Sequence, residues 1–366
     1  MDNIYLSEYL NKGIKRIVTD VLIHSEGNPN ELAFIAEFII SSRKAEKRRA
    51  ELESQGDHIP AFLISSIADQ CNLKCTGCYA RENAQCNDIS SERQLSSDVW
   101  NDIFVQASDL GISFHLLAGG EPLLRKDVIL HASKIKNTVF PIFTNGTLLN
   151  EEYLDIFDAN RNLKLFFSLE GEKELTNSRR GPGTYESVIN SMQMLHSRNI
   201  PFGVSITVTG QNLIAITNDD YVNMLAEHGC RFIIYVEYVP IVESTEDIAL
   251  TESDRMILEN EEHRLQGKFK KVLFLSFPGD EKFFGGCLAA GRGFFHINPY
   301  GDAEACPFSP FSDRSLVDFS LIEAIRSPFF KRLAEHRLVG GEHTGGCALF
   351  SKKDSVAEIL SEIVDH

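Results

Sequence analysis

Cys71-Asn72-Leu73-Lys74-Cys75-Thr76-Gly77-Cys78 follows directly on an apolar run at residues 61–67, and this junction decides the fold. A short apolar segment that ends in a C-x3-C-x2-C loop reads as a strand delivering three thiols to its C-terminal end. Outward from it, five more strand-like segments, at 112–117, 138–143, 163–168, 201–208 and 231–237, alternate with amphipathic stretches at 96–110, 124–136, 149–158, 184–197 and 218–229. Repeated βα units of this kind build a parallel sheet with helices on its outer face. Six of them predict an α/β fold, a partial (β/α)6 TIM-like barrel, with ligands at the C-terminal ends of the strands.

The flanks behave differently. Residues 1–58 read as a helical segment, in which Asn28-Pro29-Asn30-Glu31 is a cap and first turn, and Phe34, Ile35, Phe38 and Ile39 recur at helical spacing. The end of this segment is basic, with Arg43, Lys44, Lys47, Arg48 and Arg49. It reads as a solvated helix face, or else as a dock for an acidic partner or membrane surface. After about residue 245 the rhythm breaks. A charged helical stretch at 252–265 leads into a Gly-, Pro- and Cys-rich region at 278–312, then two helical stretches at 318–336 and 353–364. Three parts are therefore expected: 1–58, a barrel at 59–245, and a tail module at 246–366.

Composition narrows the function. Of 366 residues, 36 are Lys or Arg and 52 are Asp or Glu, a formal net charge of −16. That balance argues against nucleic acid as a partner, because phosphate binding is driven by basic side chains. Hydrophobic content of 43% with 24% charged residues fits an ordinary globular chain. No apolar run reaches the roughly 18 residues that span a bilayer, and the first residues lack a secretory pattern, so a cytoplasmic location is expected. In a reducing compartment the eight cysteines, at 71, 75, 78, 86, 230, 287, 306 and 347, read as metal ligands before they read as disulfides.

Three thiolates as close as Cys71, Cys75 and Cys78 can hold three irons of a [4Fe–4S] cluster and leave the fourth iron open. Structural zinc normally recruits four ligands, often as two C-x2-C pairs, and no second pair lies nearby; it remains the competing reading, with incidental cysteines. Later strands end in further motifs. Gly119-Gly120-Glu121-Pro122 follows the second, where two glycines permit close approach of backbone to an amino acid's ammonium and carboxylate, or simply turn the chain. Thr144-Asn145-Gly146 follows the third, and Ser168-Leu169-Glu170-Gly171 ends the fourth, with Arg179 and Arg180 beyond it. Such an arginine suits a carboxylate through bidentate contacts, or an exposed ion pair.

Taken in this order, the cysteine run, the Gly-Gly-Glu-Pro turn and the later motifs resemble the radical S-adenosylmethionine (radical SAM) enzymes over about residues 60–350. The resemblance implies that Cys71, Cys75 and Cys78 bind three irons while SAM chelates the fourth through its amino and carboxylate groups. It further implies that Gly119, Gly120 and Glu121, with Pro122 and Thr144 beside them, meet the methionine end. Ser168 and Glu170 then contact ribose or the amino acid, and Arg180 the carboxylate. One position departs from the pattern. The residue before the third cysteine is commonly aromatic and lies near adenine; here it is Gly77, and Tyr79 is the candidate replacement.

The tail carries a second resemblance. Cys287, thirteen residues, Gly301, four residues and Cys306, with Cys347 further on, look like the opening of the SPASM and twitch extensions of radical SAM enzymes. A dense cysteine block is missing, so the shorter twitch module with one auxiliary [4Fe–4S] cluster is the better match; structural zinc is the alternative. Asn298-Pro299-Tyr300-Gly301-Asp302 reads as a hairpin turn between the ligand-bearing strands. Three cysteines leave one ligand unassigned: Cys86, Cys230, or an open iron that binds substrate. Cys86 is the stronger candidate, since Cys230 reads as a small buried hydrophobe.

Tyr235, Glu237, Tyr238, Arg292 and His296 are candidate substrate-facing residues, each equally readable as structural, and His115 and His131 read as ordinary barrel residues. The expected activity is reductive cleavage of SAM to a 5′-deoxyadenosyl radical that abstracts hydrogen from a substrate, with flavodoxin or ferredoxin as reductant. The short N-terminal segment tilts the substrate toward a small molecule over a peptide. A non-catalytic metal-binding or electron-carrier protein is the contrasting expectation.

Overall fold

The computed structural model describes residues 28–340 and 346–364. The first half of the predicted N-terminal segment, up to residue 27, lies outside the described residues. From Asn28 the expected helix forms as Pro29–Ser54, with the Asn28 side chain accepting hydrogen bonds from the Asn30 and Glu31 amides and proline in its first turn. Four of its five basic residues, Arg43, Lys44, Lys47 and Arg48, are exposed, as the reading of a solvated face expects. Arg49 is buried and donates to the Gly111 carbonyl, and Arg48 donates to the Asp109 carbonyl at 3.4 Å. These arginines clamp the helix to the turn before the second strand.

One nine-stranded sheet organises the chain, in the order β7-β6-β5-β4-β3-β2-β1-β8-β9. Its first six strands in sequence are β1 (Phe62–Ala68), β2 (Phe114–Gly119), β3 (Phe140–Thr144), β4 (Leu163–Leu169), β5 (Phe202–Val208) and β6 (Cys230–Glu237). All six run parallel, each beside its sequence neighbour, and the sheet stays open. Period-two alternation sorts each strand's side chains between two environments. On β4, Leu165 and Phe167 join the large core under the outer helices, whereas Phe166 joins Phe232 and Leu273 in a separate small cluster and Ser168 faces a cavity. Trp100, Phe104, Phe140, Phe157 and Phe202 fill the outer layer completely.

Beyond residue 245 the sheet continues further than the sequence rhythm suggests. A seventh parallel strand, β7 (Leu273–Phe277), pairs with β6. The helix before it, Glu252–Lys268, buries only Leu258 and Leu265, so its weak apolar stripe hides the βα repeat. At the other edge the expected hairpin forms from β8 (His296–Ile297) and β9 (Ala303–Glu304), and β8 adds to β1 in parallel. The tail thus lends strands to both edges of the sheet that carries the cysteine loop.

Candidate active site

A cavity of about 530 Å³ opens at the C-terminal ends of the strands, and Cys71, Cys75 and Cys78 all line it. Backbone pairing fixes their loop. The Cys71 amide donates to the Asn87 carbonyl at 3.3 Å, the Thr76 amide to the Arg179 carbonyl at 2.9 Å, and Arg179 Nε returns a bond to the Thr76 carbonyl at 3.2 Å. Arg81 donates to the Cys71 and Leu73 carbonyls. The charges of Arg179 and Arg180 act on Cys75, and that of Arg81 on Cys71, so guanidinium groups surround the thiols. The Cys71 sulfur accepts from the Leu73 amide at 3.4 Å and from Cys86, which hold this thiol well below its ordinary range; burial pushes Cys75 up.

Among the described residues no three His, Cys, Asp or Glu side chains converge tightly enough for one metal ion. Zinc needs all its sulfurs about 2.3 Å from a single centre. A cubane binds each sulfur at a different corner, so three thiols spread along one cavity wall, ringed by guanidinium charge, suit that anionic group.

The Gly-Gly-Glu-Pro turn is packed against the strand end that bears the cysteine loop. A Cβ on Gly119, whose φ is +124°, falls 2.5 Å from the Ala68 carbonyl oxygen, and one on Gly120 meets the Gln70 backbone. The close approach that demands glycine is therefore to the strand end bearing the cysteine loop. Glu121 is buried, and its carboxylate accepts from Thr144 Oγ1 at 2.7 Å, the Asn145 amide at 2.8 Å and the Leu123 amide at 2.9 Å. Burial pushes it up to about 7 despite these donors. It ties the end of β2 to the end of β3 and so places Asn145, whose Nδ2 reaches Asn72 Oδ1 at 2.9 Å and the Cys71 sulfur at 3.9 Å. Gly119, Gly120 and Glu121 line the cavity; Pro122 and Thr144 stand behind it.

Ser168 and Arg180 face the cavity as well, while Glu170 sits behind them. One Glu170 oxygen accepts from Arg179 at 2.6 Å and from Arg180 Nε at 2.7 Å, and the other is buried with no partner. Glu170 thereby aims two arginines at the cysteine loop. Arg81 had no motif to announce it; only its bonds to the Cys71 and Leu73 carbonyls bring it in.

The Gly77 departure has a structural counterpart. Gly77 has φ +68°, and a Cβ there falls 2.9 Å from the Tyr238 ring carbon that bears the hydroxyl. Tyr238, just past β6, fills the space beside residue 77; its hydroxyl donates to Thr245 at 2.7 Å and Arg179 lies 5.7 Å from its ring centre. Tyr79 also lines the cavity, but its ring packs edge-on against Phe308 and its hydroxyl bonds Ser66.

The remaining candidates separate. Glu237 lines the cavity and accepts from Arg255 Nε at 2.8 Å. Tyr235 points to the outer core and donates to the Ile216 carbonyl. Arg292 donates to the Gly286 and Cys287 carbonyls. His296 bridges Ser66 Oγ at 2.8 Å and Glu304 at 2.7 Å, fully buried between β1 and the hairpin. His115 bonds Ser65 at 2.6 Å, and His131 bonds Asn101 at 3.1 Å.

In the tail, the thiol of Cys306 bonds Cys347, and Cys287 lies close enough for their charges to interact. The two candidate fourth ligands make other contacts. Cys86 is held beside Cys71 by the pairing of Gln70 with Asn87, and Cys230 is buried at the start of β6 with its thiol on the Phe232 carbonyl at 3.1 Å. The residue before Cys86, Gln85, donates to Glu304 of the hairpin at 2.6 Å, while Cys230 starts β6.

The open α/β sheet, with a cysteine trio at the mouth of its lumen, is a partial-barrel fold. Residues 65–230 match the radical SAM superfamily. The chain is 28% identical over 154 residues to Fe-coproporphyrin III synthase of Methanosarcina barkeri, covering 41% of this chain and 38% of that protein, well under two thirds of its length. It is 23% identical to the mycofactocin maturase MftC of Mycolicibacterium smegmatis, over 72% of this chain and 68% of MftC. Among solved structures, Streptococcus suis SuiB bound to S-adenosylmethionine superposes with a TM-score of 0.64 at 17% identity, covering 78% of this chain and 70% of SuiB, and SuiB has also been solved with its precursor peptide SuiA. The likeness to SuiB is one of fold. Among the described residues no helix is long and apolar enough to cross a membrane.

Proposed function

We propose that this chain is a radical SAM enzyme that takes a hydrogen atom from a substrate carbon held in the barrel cavity. The observation that carries the reading is the convergence of Cys71, Cys75, Cys78, Ser168 and Arg180 on one cavity within the stretch that matches the radical SAM superfamily. A [4Fe–4S] cluster with S-adenosylmethionine on its open iron supplies, when bound and reduced, a 5′-deoxyadenosyl radical. The chain's own residues do the rest. Cys71, Cys75 and Cys78 hold three irons. Glu170 presents Arg180 to the SAM carboxylate, and Ser168 takes a polar contact beside it. Phe62, Phe143 and Phe277 line the lumen and exclude water from the reacting carbon. Flavodoxin or ferredoxin supplies the electron. Cys287, Cys306 and Cys347, in the tail beyond residue 245, hold an auxiliary cluster of the twitch type.

A small-molecule substrate is the favoured class, because most of the lumen wall is apolar. A peptide is the second reading, favoured by the fold shared with SuiB, a protein that binds a precursor peptide. Anaerobically reconstituted protein is expected to hold roughly eight irons. With dithionite and SAM it releases 5′-deoxyadenosine and methionine. Zinc in place of iron, or intact SAM, would return the chain to the metal-binding or electron-carrier class.

A further inference from the structure

Among the described residues no fourth cysteine bonds the tail trio: Cys86 bonds Cys71, and Cys230 bonds the Phe232 carbonyl. Beside the trio stands a carboxylate. Glu281, in the turn Gly279–Phe284, is 2% exposed, its Oε1 accepts the Leu288 amide at 3.0 Å, and its backbone carbonyl accepts the Gly286 amide at 3.0 Å. These bonds fold the segment 281–288 back on itself and bring the carboxyl into hydrogen-bond contact with the Cys287 thiol, close enough for its charge to act on Cys347. Glu281 also lines the main cavity, which none of the three tail cysteines does. The carboxylate therefore occupies the wall between the tail thiols and the cavity.

Collecting a carboxylate and three thiols in a water-poor interior is unfavourable for all four in their ionised forms unless a cationic centre takes them. The charge of Arg292 acts on both Glu281 and Cys287. An iron–sulfide core supplies such a centre, and a carboxylate oxygen is a competent ligand for iron.

Resting on the reading of the tail as a cluster site, we propose that Glu281 is the fourth ligand of the auxiliary cluster. With Glu281 as ligand, such a cluster would have no vacant iron for a substrate and would serve in electron transfer. One oxygen donor among three thiolates makes one iron in four chemically distinct and, by donating less charge than sulfur, sets the reduction potential higher than an all-cysteine cluster.

The test uses full-length protein in which Cys71, Cys75 and Cys78 are alanine, so that all bound iron is tail iron. Mössbauer spectra of this parent are expected to show one iron in four distinct from the rest, and electron–nuclear double resonance in H2 17O shows no coupled solvent oxygen. Glu281→Ala admits solvent oxygen to that iron. Glu281→Cys renders the four irons alike and moves the potential to a more negative value. Solvent oxygen already bound in the parent, or four equivalent irons there, overturns the assignment. If Glu281→Ala loses its iron, Glu281→Cys decides alone: a potential unchanged from the parent overturns it. A parent that binds no iron overturns the cluster reading of the tail itself, a failure distinct from the others.

Discussion

Cys71, Cys75 and Cys78 are partly exposed on a loop that faces a cavity, whereas Cys287 and Cys306 are buried and Cys347 half-buried, none of them lining that cavity. The first trio is held from outside, by backbone bonds from Asn87 and Arg179 and by arginines whose own partners lie on other elements. The second is held from within, by contacts among its own thiols and with Glu281. An outward-facing trio with guanidinium support suits a cluster that must admit a charged ligand. An enclosed one suits a cluster that exchanges only electrons, because low exposure and fixed hydrogen bonds set potential.

The largest effect that breaks this comparison is chemical. Cys75→Ala is expected to reduce SAM cleavage to background and iron from roughly eight to roughly four per chain. Cys347→Ala is expected to lose a similar amount of iron yet keep substrate-free SAM cleavage, measured as 5′-deoxyadenosine released under dithionite. Loss of cleavage in both variants would mean that the two sites are not functionally separate.

The next effect concerns the two buried histidines that flank β1. His296, toward the tail hairpin, has the Glu304 carboxylate as partner. His115, toward the barrel, has only the Ser65 hydroxyl and the rings of Phe104 and Phe140, and burial pushes it down to about 3. The folded state therefore binds fewer protons than the unfolded state below the ordinary histidine value of about 6.5. Stability conferred by neutral His115 is complete above that pH and is lost as pH falls toward the folded value, at about 1.4 kcal/mol per pH unit, or about 2 kcal/mol by pH 5. Urea unfolding of His115→Gln is expected to show a flatter dependence between pH 7 and pH 5 than the parent. An identical slope would remove His115 from the acid response.

Gly77 offers a third test, local to the outward-facing loop. Gly77→Ala places a Cβ at φ +68° and against Tyr238, and is expected to cost about 1–2 kcal/mol and lower iron loading at the first site. Tyr238→Ala combined with it relieves the clash but not the backbone strain. Partial recovery of iron in the double variant is the expected result; none would place the whole cost in the backbone.

How far the sequence carried these features varies with their physics. The βα rhythm was legible because each strand is a compact apolar run and each helix presents a stripe, so Leu163–Leu169 and Thr184–Ser197 fall where the pattern puts them. Strand β7 was not, since the helix before it buries two residues. The cysteine spacings were legible because ligand sets repeat in sequence. The role of Glu121 was not: its acceptors are spent on residues 23 and 24 positions away, Thr144 and Asn145, and only pairing of β2 with β3 brings them near. Tyr238 is similar. A glycine at 77 signals a space to fill but not which distant ring fills it. Glu281 carried no motif, for a lone glutamate in a charged turn gives no sign that its chain folds back onto Cys287.

The smallest expected effect probes how tightly the tail is joined to the rest. Arg326, past the tail helix Leu321–Ile325, donates from Nε and Nη2 to the two oxygens of Asp57, both at 2.7 Å. This two-pronged geometry is the favourable one, and the contact spans from the tail to the chain entering β1. Yet the Arg326 side chain is 57% exposed, so water and salt compete for it. The join does not depend on this pair: β8 is hydrogen-bonded to β1, and the buried Ser66–His296–Glu304 chain crosses the same seam. Arg326→Ala is therefore expected to cost under about 1 kcal/mol in urea unfolding, less still at high salt, and to leave both iron sites loaded. A cost several times larger, or iron lost from the tail alone, would show that the module is fastened at its surface and that the strand pairing beneath contributes less than its burial implies.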